Sequence, residues 1–220
     1  MKRIFFLFLT ALAFYYCQHT GSDKKYTLDC YVRYLATDMR YKAEATVRNT
    51  GPNPQAVEAP WPLMYQGANM DLKQLPSTAY KFEKPGAYRE DQEFSWTDEK
   101  GETTRFNIKM HKVGSFGFDG GDISITRPAT FRWEGPGLEK GEVLVFIWEN
   151  TALRKTVPME IYNTSGKSLI EFPAAQLAKL EPGTWTLYLV RKKLAKAEFN
   201  GVSASGIVEY YSATDTIEVK

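Results

Sequence analysis

From Tyr26 onward the chain alternates. Tyr26, Leu28, Cys30, Val32 and Tyr34 are separated by Thr27, Asp29, Tyr31 and Arg33. A period of two sends one set of side chains to one face of a strand and the other set to the opposite face. Tyr41, Ala43, Ala45 and Val47 repeat the pattern, so residues 26–49 predict an antiparallel pair turning near Thr37-Asp38. Asn49-Thr50-Gly51-Pro52-Asn53-Pro54 then ends it with turn chemistry. A helix, with 3.6 residues per turn, cannot hold such a set on one face, which commits the start of the folded part to β-structure.

The rest of the chain agrees. Leu63 to Tyr65, Thr78 to Phe82 and Glu93 to Trp96 are short strand candidates, and Asp98-Glu99-Lys100-Gly101 suits a hairpin returning along Thr103 to Met110. A glycine-rich passage (Gly114, Gly117, Gly120, Gly121) precedes a fresh strand expected from Ile123, and the domain boundary is placed there. Strand candidates then follow at Thr130–Trp133, Glu142–Glu149, Pro158–Tyr162, Ser168–Phe172, Thr184–Arg191, Gly206–Tyr211 and Thr216–Val219. Short strands at regular spacing are the mark of a sandwich. The one helical stretch is Pro173–Leu180, with proline in its first turn and Glu181-Pro182-Gly183 as its stop. The expected fold is all-β, with two β-sandwich-like domains over 26–120 and 121–220.

Within the second half, Thr130-Phe131-Arg132-Trp133 reads as an early strand with a core tryptophan, and Leu180-Glu181-Pro182-Gly183-Thr184-Trp185 as a corner leading into Leu187 to Val190. On these residues the stretch 122–220 resembles fibronectin-type-III and related immunoglobulin-like sandwiches of bacterial surface proteins. The resemblance implies an adhesive or spacer module. That family places a tyrosine two positions after Thr184, where this chain has Thr186.

The first 25 residues carry a different signal. Met1-Lys2-Arg3 is basic, Ile4 to Tyr16 holds no charge, and Cys17-Gln18-His19-Thr20-Gly21-Ser22-Asp23-Lys24-Lys25 is polar. These are the three parts of a secretory signal. The apolar run is shorter than the roughly 20 residues that a transmembrane helix needs. Cysteine directly after that run resembles the lipobox of bacterial envelope lipoproteins, of the Bacteroidetes kind. The resemblance implies a signal peptide over 1–16, acylation of Cys17, a polar tether over 17–25 and a membrane partner held through the N-terminal lipid. The expected location is the cell envelope, anchored to the outer membrane on its periplasmic or surface side. Phe14, Tyr15 and Tyr16 stand where that family has small residues, and Ala11-Leu12-Ala13 offers an ordinary signal-peptidase site, so cleavage after Ala13 stays open.

Loss of the leader removes Lys2 and Arg3, which leaves basic residues equal in number to the 26 acidic ones. Nucleic acid needs a clustered basic surface, and no such partner is expected. The densest basic tract, Arg191-Lys192-Lys193 with Lys196, reads as a solvated strand end and loop. With Cys17 acylated, Cys30 has no partner and reads as a small buried residue. With Cys17 unmodified, a Cys17–Cys30 bridge is open.

Catalytic chemistry finds little to use. No strained serine elbow of the G-x-S-x-G type is present. His19 lies in the tether, so His111 is the sole candidate base, in a position that suits an exposed or hydrogen-bonded histidine. One histidine and one spare cysteine cannot make the usual zinc sets, and no metal or cofactor is expected. Asp119-Gly120-Gly121-Asp122 can be read as a hinge or as two carboxylates around a hard cation, and the two readings stay open. Aromatic residues are 14% of the chain, and exposed ones on a β surface can stack on sugar rings. Trp61, between Pro60 and Pro62, is the tryptophan expected to be exposed. Tyr210 and Tyr211 are adjacent and must face opposite sides of a strand. The favoured reading is a non-enzymatic envelope lipoprotein that binds or assembles, with a protein or glycan partner. The alternatives are carbohydrate recognition through Trp61, Tyr210 or Tyr211, and a carboxylate-based hydrolase without a motif.

The intact mass of the protein taken from its native envelope tests the anchor. It is expected to match a chain that begins at an acylated Cys17. A mass for an unmodified chain beginning at Phe14, or a Cys17→Ala variant that remains membrane-bound, contradicts it.

Overall fold

The computed structural model describes residues 24–220, so the leader, Cys17 and the first part of the tether lie outside the described residues. The strands are β1 (Tyr26–Leu35), β2 (Arg40–Asn49), β3 (Ala56–Val57), β4 (Leu63–Tyr65), β5 (Ala68–Asn69), β6 (Asp71–Lys73), β7 (Ala79–Pro85), β8 (Asp91–Thr97) and β9 (Thr103–Lys109). They continue as β10 (Phe116–Phe118), β11 (Ala129–Trp133), β12 (Glu142–Asn150), β13 (Lys155–Ile161), β14 (Leu169–Phe172), β15 (Gly183–Phe199), β16 (Val202–Tyr211) and β17 (Asp215–Val219). Among the described residues the single helix, α1 (Ala174–Leu177), starts after Pro173 and buries Leu177. The chain is all-β, and no helix among the described residues is long and apolar enough to cross a membrane.

A ten-stranded sheet forms the base, with the path β13-β12-β15-β16-β1-β2-β7-β6. Two further strands branch from it, β17 on β15 and β3 on β2. The expected β1–β2 pair is present, Tyr26 opposite Asn49 and Leu35 opposite Arg40. On its other side β1 runs parallel to β16, Tyr26 beside Val202 and Leu35 beside Tyr211. A division into units at 120/121 is therefore a proposal about folding, because hydrogen bonding crosses that point twice. The β1–β16 ladder is one crossing, and β10 pairing with β11 is the other. The strand expected from Ile123 is reduced to one bridge with Val219, since the chain there turns through Gly120 and Gly121 at positive φ.

Pairing fixes which side chains share a face. Trp148 lies beside Leu187, Leu144 beside Arg191, Arg191 beside Tyr210, Tyr210 beside Tyr34 and Tyr34 beside Tyr41. All are buried, and they form the inner face. Two small sheets cover it. The sheet β10-β11-β14 sends Phe118 and Phe131 against Trp148 and Phe146. The sheet β5-β4-β8-β9 sends Tyr65 against Tyr41 and Phe82, and Trp96 and Phe106 against Phe199. Gly206 makes the second contact possible, since a Cβ there would run into Ile108 and would lie 2.9 Å from the Phe106 ring. Cys30 belongs to this core at 4% exposure and forms no disulfide among the described residues; burial pushes its thiol well up.

Strand β15 is longer than its sequence signal. Its inward set runs Trp185, Leu187, Leu189, Arg191, Lys193, Ala195, Ala197 and Phe199, and the apolar members of this set all join the one hydrophobic core. At its start Trp185 Nε1 donates to the Glu181 carbonyl at 2.8 Å. At this corner the side-chain hydrogen bond comes from Trp185, the position before Thr186. Trp148, buried to the same degree, has an indole N–H without a partner.

These two tryptophans make a controlled comparison. Trp185→Phe is expected to cost about 1 kcal/mol more than Trp148→Phe, since only the former loses a hydrogen bond. Equal losses in urea midpoint for the two variants contradict this assignment.

Candidate functional site

The outer face of the ten-stranded sheet has no covering layer among the described residues. Cross-strand pairing lines up Val143, Lys192, Glu209, Arg33, Lys42 and Glu83 in one row over six strands. The neighbouring row holds Val145, Val190, Tyr211, Leu35 and Arg40, and the row on the other side holds Leu194, Ile207, Tyr31, Glu44 and Lys81. Glu209 is the hub. Its Oε2 accepts from the Tyr31 hydroxyl at 2.5 Å and the Tyr211 hydroxyl at 3.1 Å, and its Oε1 lies 3.1 Å from Lys192 Nζ. The Arg33 guanidinium stands 5.0 Å from the Tyr211 ring centre and 5.5 Å from that of Tyr31, within cation–π range. Its Nε donates to the Tyr31 hydroxyl at 2.9 Å. Tyr188 stacks beside Tyr211, centroids 6.4 Å apart, and its hydroxyl donates to Glu149 at 3.3 Å.

The hub sets the protonation states around it. Burial pushes the Glu209 carboxyl up, but the bonds from Tyr31, Lys192 and Tyr211 outweigh this and hold it below its ordinary value. Burial, with the Glu209 carboxylate behind it, pushes Tyr31 far up, so it stays a neutral donor. Such an arrangement presents aromatic rings and a guanidinium at fixed positions. It has no proton poised for transfer at neutral pH.

Of the residues singled out by sequence, Tyr211 lies in this cluster. Tyr210 faces inward at 6% exposure and stacks on Tyr34 at 5.6 Å. It joins Tyr41, Tyr65 and Tyr88 in a tyrosine layer beside a cavity of about 470 Å³. The hydroxyls there are committed to structure: Tyr34 donates to Gly86 O, Tyr41 to Ala87 O, Tyr88 to Met110 O and Tyr65 to the Gln92 amide oxygen. Trp61 is not exposed as its prolines suggested. It is 8% exposed and stacks on Trp96 at 5.3 Å. Pro60 and Pro62 keep it out of a ladder, yet the loop folds down onto the core, where its edge meets Tyr26 and borders a cleft of about 480 Å³ with Asp98, Glu99 and Asn200. Asp119 takes Arg132 Nε at 2.9 Å, and Asp122 takes Lys220, so each loop carboxylate has a side-chain cation as its partner.

A second charged cluster lies inside. Arg191, fully buried, reaches Glu142 through Nη2 at 2.5 Å and Nε at 3.1 Å, and donates to Pro136 O and Gly137 O. The expectation of a solvated strand end fails here, because Glu142 gives the guanidinium a buried partner. The other Glu142 oxygen accepts no hydrogen bond and faces Lys193 at 3.4 Å. Lys193 also holds Glu139 at 2.9 Å and pulls its carboxyl down. His111 bridges Glu90 at 2.8 Å and Glu139 at 3.5 Å, where the two covering sheets meet. It is partnered, as its position suggested.

No family model matches the chain, and no curated protein matches it. Among solved structures it is similar to a cytokine receptor complex at 11% identity and a TM-score of 0.34, covering 86% of this chain and 96% of the other. It is also similar to the chicken CNTN1 FN1-FN3 domains at 10% identity and a TM-score of 0.30, over 87% and 64% of the two chains. A Bacteroides ovatus glucan-locus protein, SGBP-B in complex with a mixed-linkage heptasaccharide, matches at 12% identity and a TM-score of 0.26, over 82% and 53%. Scores this low rest the account of this chain on its own geometry.

The lowered Glu209 carboxyl makes stability pH-dependent in a stated direction. Its contribution is complete above the unfolded value of about 4.3 and is lost as pH falls through the lower folded value. Urea midpoints from pH 6 down to pH 3 are expected to fall less steeply for Glu209→Gln than for the parent. Parallel slopes contradict the role of Glu209 as the hub.

Proposed function

We propose that this chain is an exported, non-catalytic binding module of the cell envelope, lipid-anchored through Cys17, that meets its partner with the outer face of the ten-stranded sheet. The observation that carries the reading is the Tyr31, Arg33, Tyr188 and Tyr211 group around Glu209, half-buried on a face that no described segment covers. Tyrosine and arginine held in fixed geometry supply large contact area with little rotamer freedom left to lose, which is why they dominate binding surfaces. Export and anchorage rest on the basic-apolar-polar pattern of residues 1–25.

The non-catalytic part of the reading is supported by the protonation of the outer-face cluster. Its one half-buried carboxyl, Glu209, is pulled below the ordinary carboxylate value by the bonds from Tyr31, Lys192 and Tyr211. A glycosidase-type acid requires the opposite, a carboxyl raised so that it keeps its proton near neutral pH. The buried Glu142–Arg191 pair is sealed from ligand, each side chain being 0% exposed.

Cosedimentation with isolated cell envelopes tests the reading. The parent protein is expected to bind saturably and to release no reducing sugar from the envelope. An Arg33→Ala, Tyr188→Ala double variant, folded by its melting curve, is expected to bind at least about tenfold more weakly, as loss of central aromatic and arginine contacts costs about 2 kcal/mol or more. Undiminished binding by the variant rules out this face, and release of sugar rules out the non-catalytic assignment.

A further inference from the structure

The outer face is interrupted where β15 changes partners. Strand β15 is bordered by β17 over Gly183–Leu187 and by β16 over Val190–Phe199. Between them β16 leaves the sheet at Tyr211, and Ser212-Ala213-Thr214 crosses before β17 begins. Ser212 seals the backbone there: its N–H donates to Leu189 O and its hydroxyl accepts from Leu189 N, both at 2.9 Å. Above that crossing is a hollow of about 230 Å³, walled by Tyr188, Tyr211 and Leu35 and rimmed by Thr37, Asp38 and Thr214. The last three are exposed. A water occupies roughly 30 Å³ of liquid, so the space holds one six-membered ring with its hydroxyls and little more.

We infer that this hollow is a subsite for a single ring of a neutral, hydroxyl-rich polysaccharide. The inference rests on the binding-module reading and names its ligand class. Three observations select the occupant. First, the Tyr188 and Tyr211 rings both wall the hollow, 6.4 Å apart at an interplanar angle of 27°, and offer aromatic surface against which the C–H face of a pyranose can lie. Second, the rim offers hydroxyls and a carboxylate, groups that exchange hydrogen bonds with sugar hydroxyls in either direction. Third, the charge is wrong for an acidic ligand. Asp38, Glu149 and Glu209 surround the two tyrosines, against Arg33 and Lys192. Arg40, next along the Tyr211 row, is already held by Glu83 at 2.9 Å. An anionic sugar would meet surplus negative charge. A peptide strand would seek a free sheet edge, and Tyr211 sits on β16, which pairs with β15 on one side and β1 on the other.

The test is calorimetric titration of the whole protein with hexasaccharides of glucose, mannose and galactose. A galacturonate and a glucosamine hexasaccharide serve as acidic and cationic controls. At least one neutral hexasaccharide is expected to bind, with an affinity that is unchanged between 50 and 500 mM salt, a rise that shortens the Debye length about threefold. Tyr188→Ala is expected to weaken it at least tenfold, Tyr188→Phe to retain most of it, and Asp38→Asn to weaken it a few-fold. Tyr162→Ala, which removes an exposed tyrosine outside the hollow, leaves it unchanged. Tighter binding of either charged control, indifference to Tyr188→Ala in a variant that melts normally, or no binding of any saccharide overturns the inference. If saccharides fail while envelopes still bind through Arg33 and Tyr188, the ligand class is wrong and the binding face stands. If both fail, the module reading falls with it.

Discussion

Arg191 carries its charge where no water reaches it, and the rest of the chain is arranged to make that tolerable. An ion in such a place costs several kcal/mol unless it is paired and hydrogen-bonded. Glu142 supplies the pair, and the carbonyls of Pro136 and Gly137 supply the remaining acceptors. Gly137 is held there by close backbone packing on Gly166 and Lys167, where a Cβ would not fit. Removing either partner of a buried pair costs about 3–5 kcal/mol, so the core depends on this contact being made. Lys193, Glu139, His111 and Glu90 extend it outward to the line where the two covering sheets meet.

The two faces of the large sheet have different chemistries because they answer to different neighbours. Inside, polar atoms are consumed by structure: four tyrosine hydroxyls reach into the 86–110 region, and Trp185 ties the corner at Glu181. Outside, the rows of Glu209 and Tyr211 keep their rings half-buried and their hydroxyls and cations gathered on one carboxylate. Order is already present there before any ligand arrives. A surface so fixed loses little freedom on binding.

Much of this was legible from period two alone. Residues 26–49 pair as the alternation predicts, the hairpin around Asp98–Gly101 forms, and Tyr210 and Tyr211 part to opposite faces as neighbours in a strand must. What was lost had long-range causes. The alternation of β15 continues through Arg191 and Lys193, but a charged side chain reads as solvated unless its partner is known, and Glu142 lies 49 residues away. Trp61 was read from its flanking prolines, which govern its backbone and not the Trp96 ring beneath it. The hollow beside Tyr188 depends on β16 and β17 bordering the same strand in succession, which no local pattern records. The parallel union of β1 with β16 joins segments about as far apart as the chain allows, and alternation cannot name a partner.

That union has a mechanical side. Both flanks of β1 are bonded along its full length, antiparallel to β2 and parallel to β16, from Tyr26 to Leu35. A pull on the residues that precede Tyr26 enters the molecule along the axis of this strand. Its hydrogen bonds are then loaded together, in shear, because a ladder lying along the pull cannot open one rung at a time. The strand nearest the proposed anchor is thus fastened as a dowel is, by its sides.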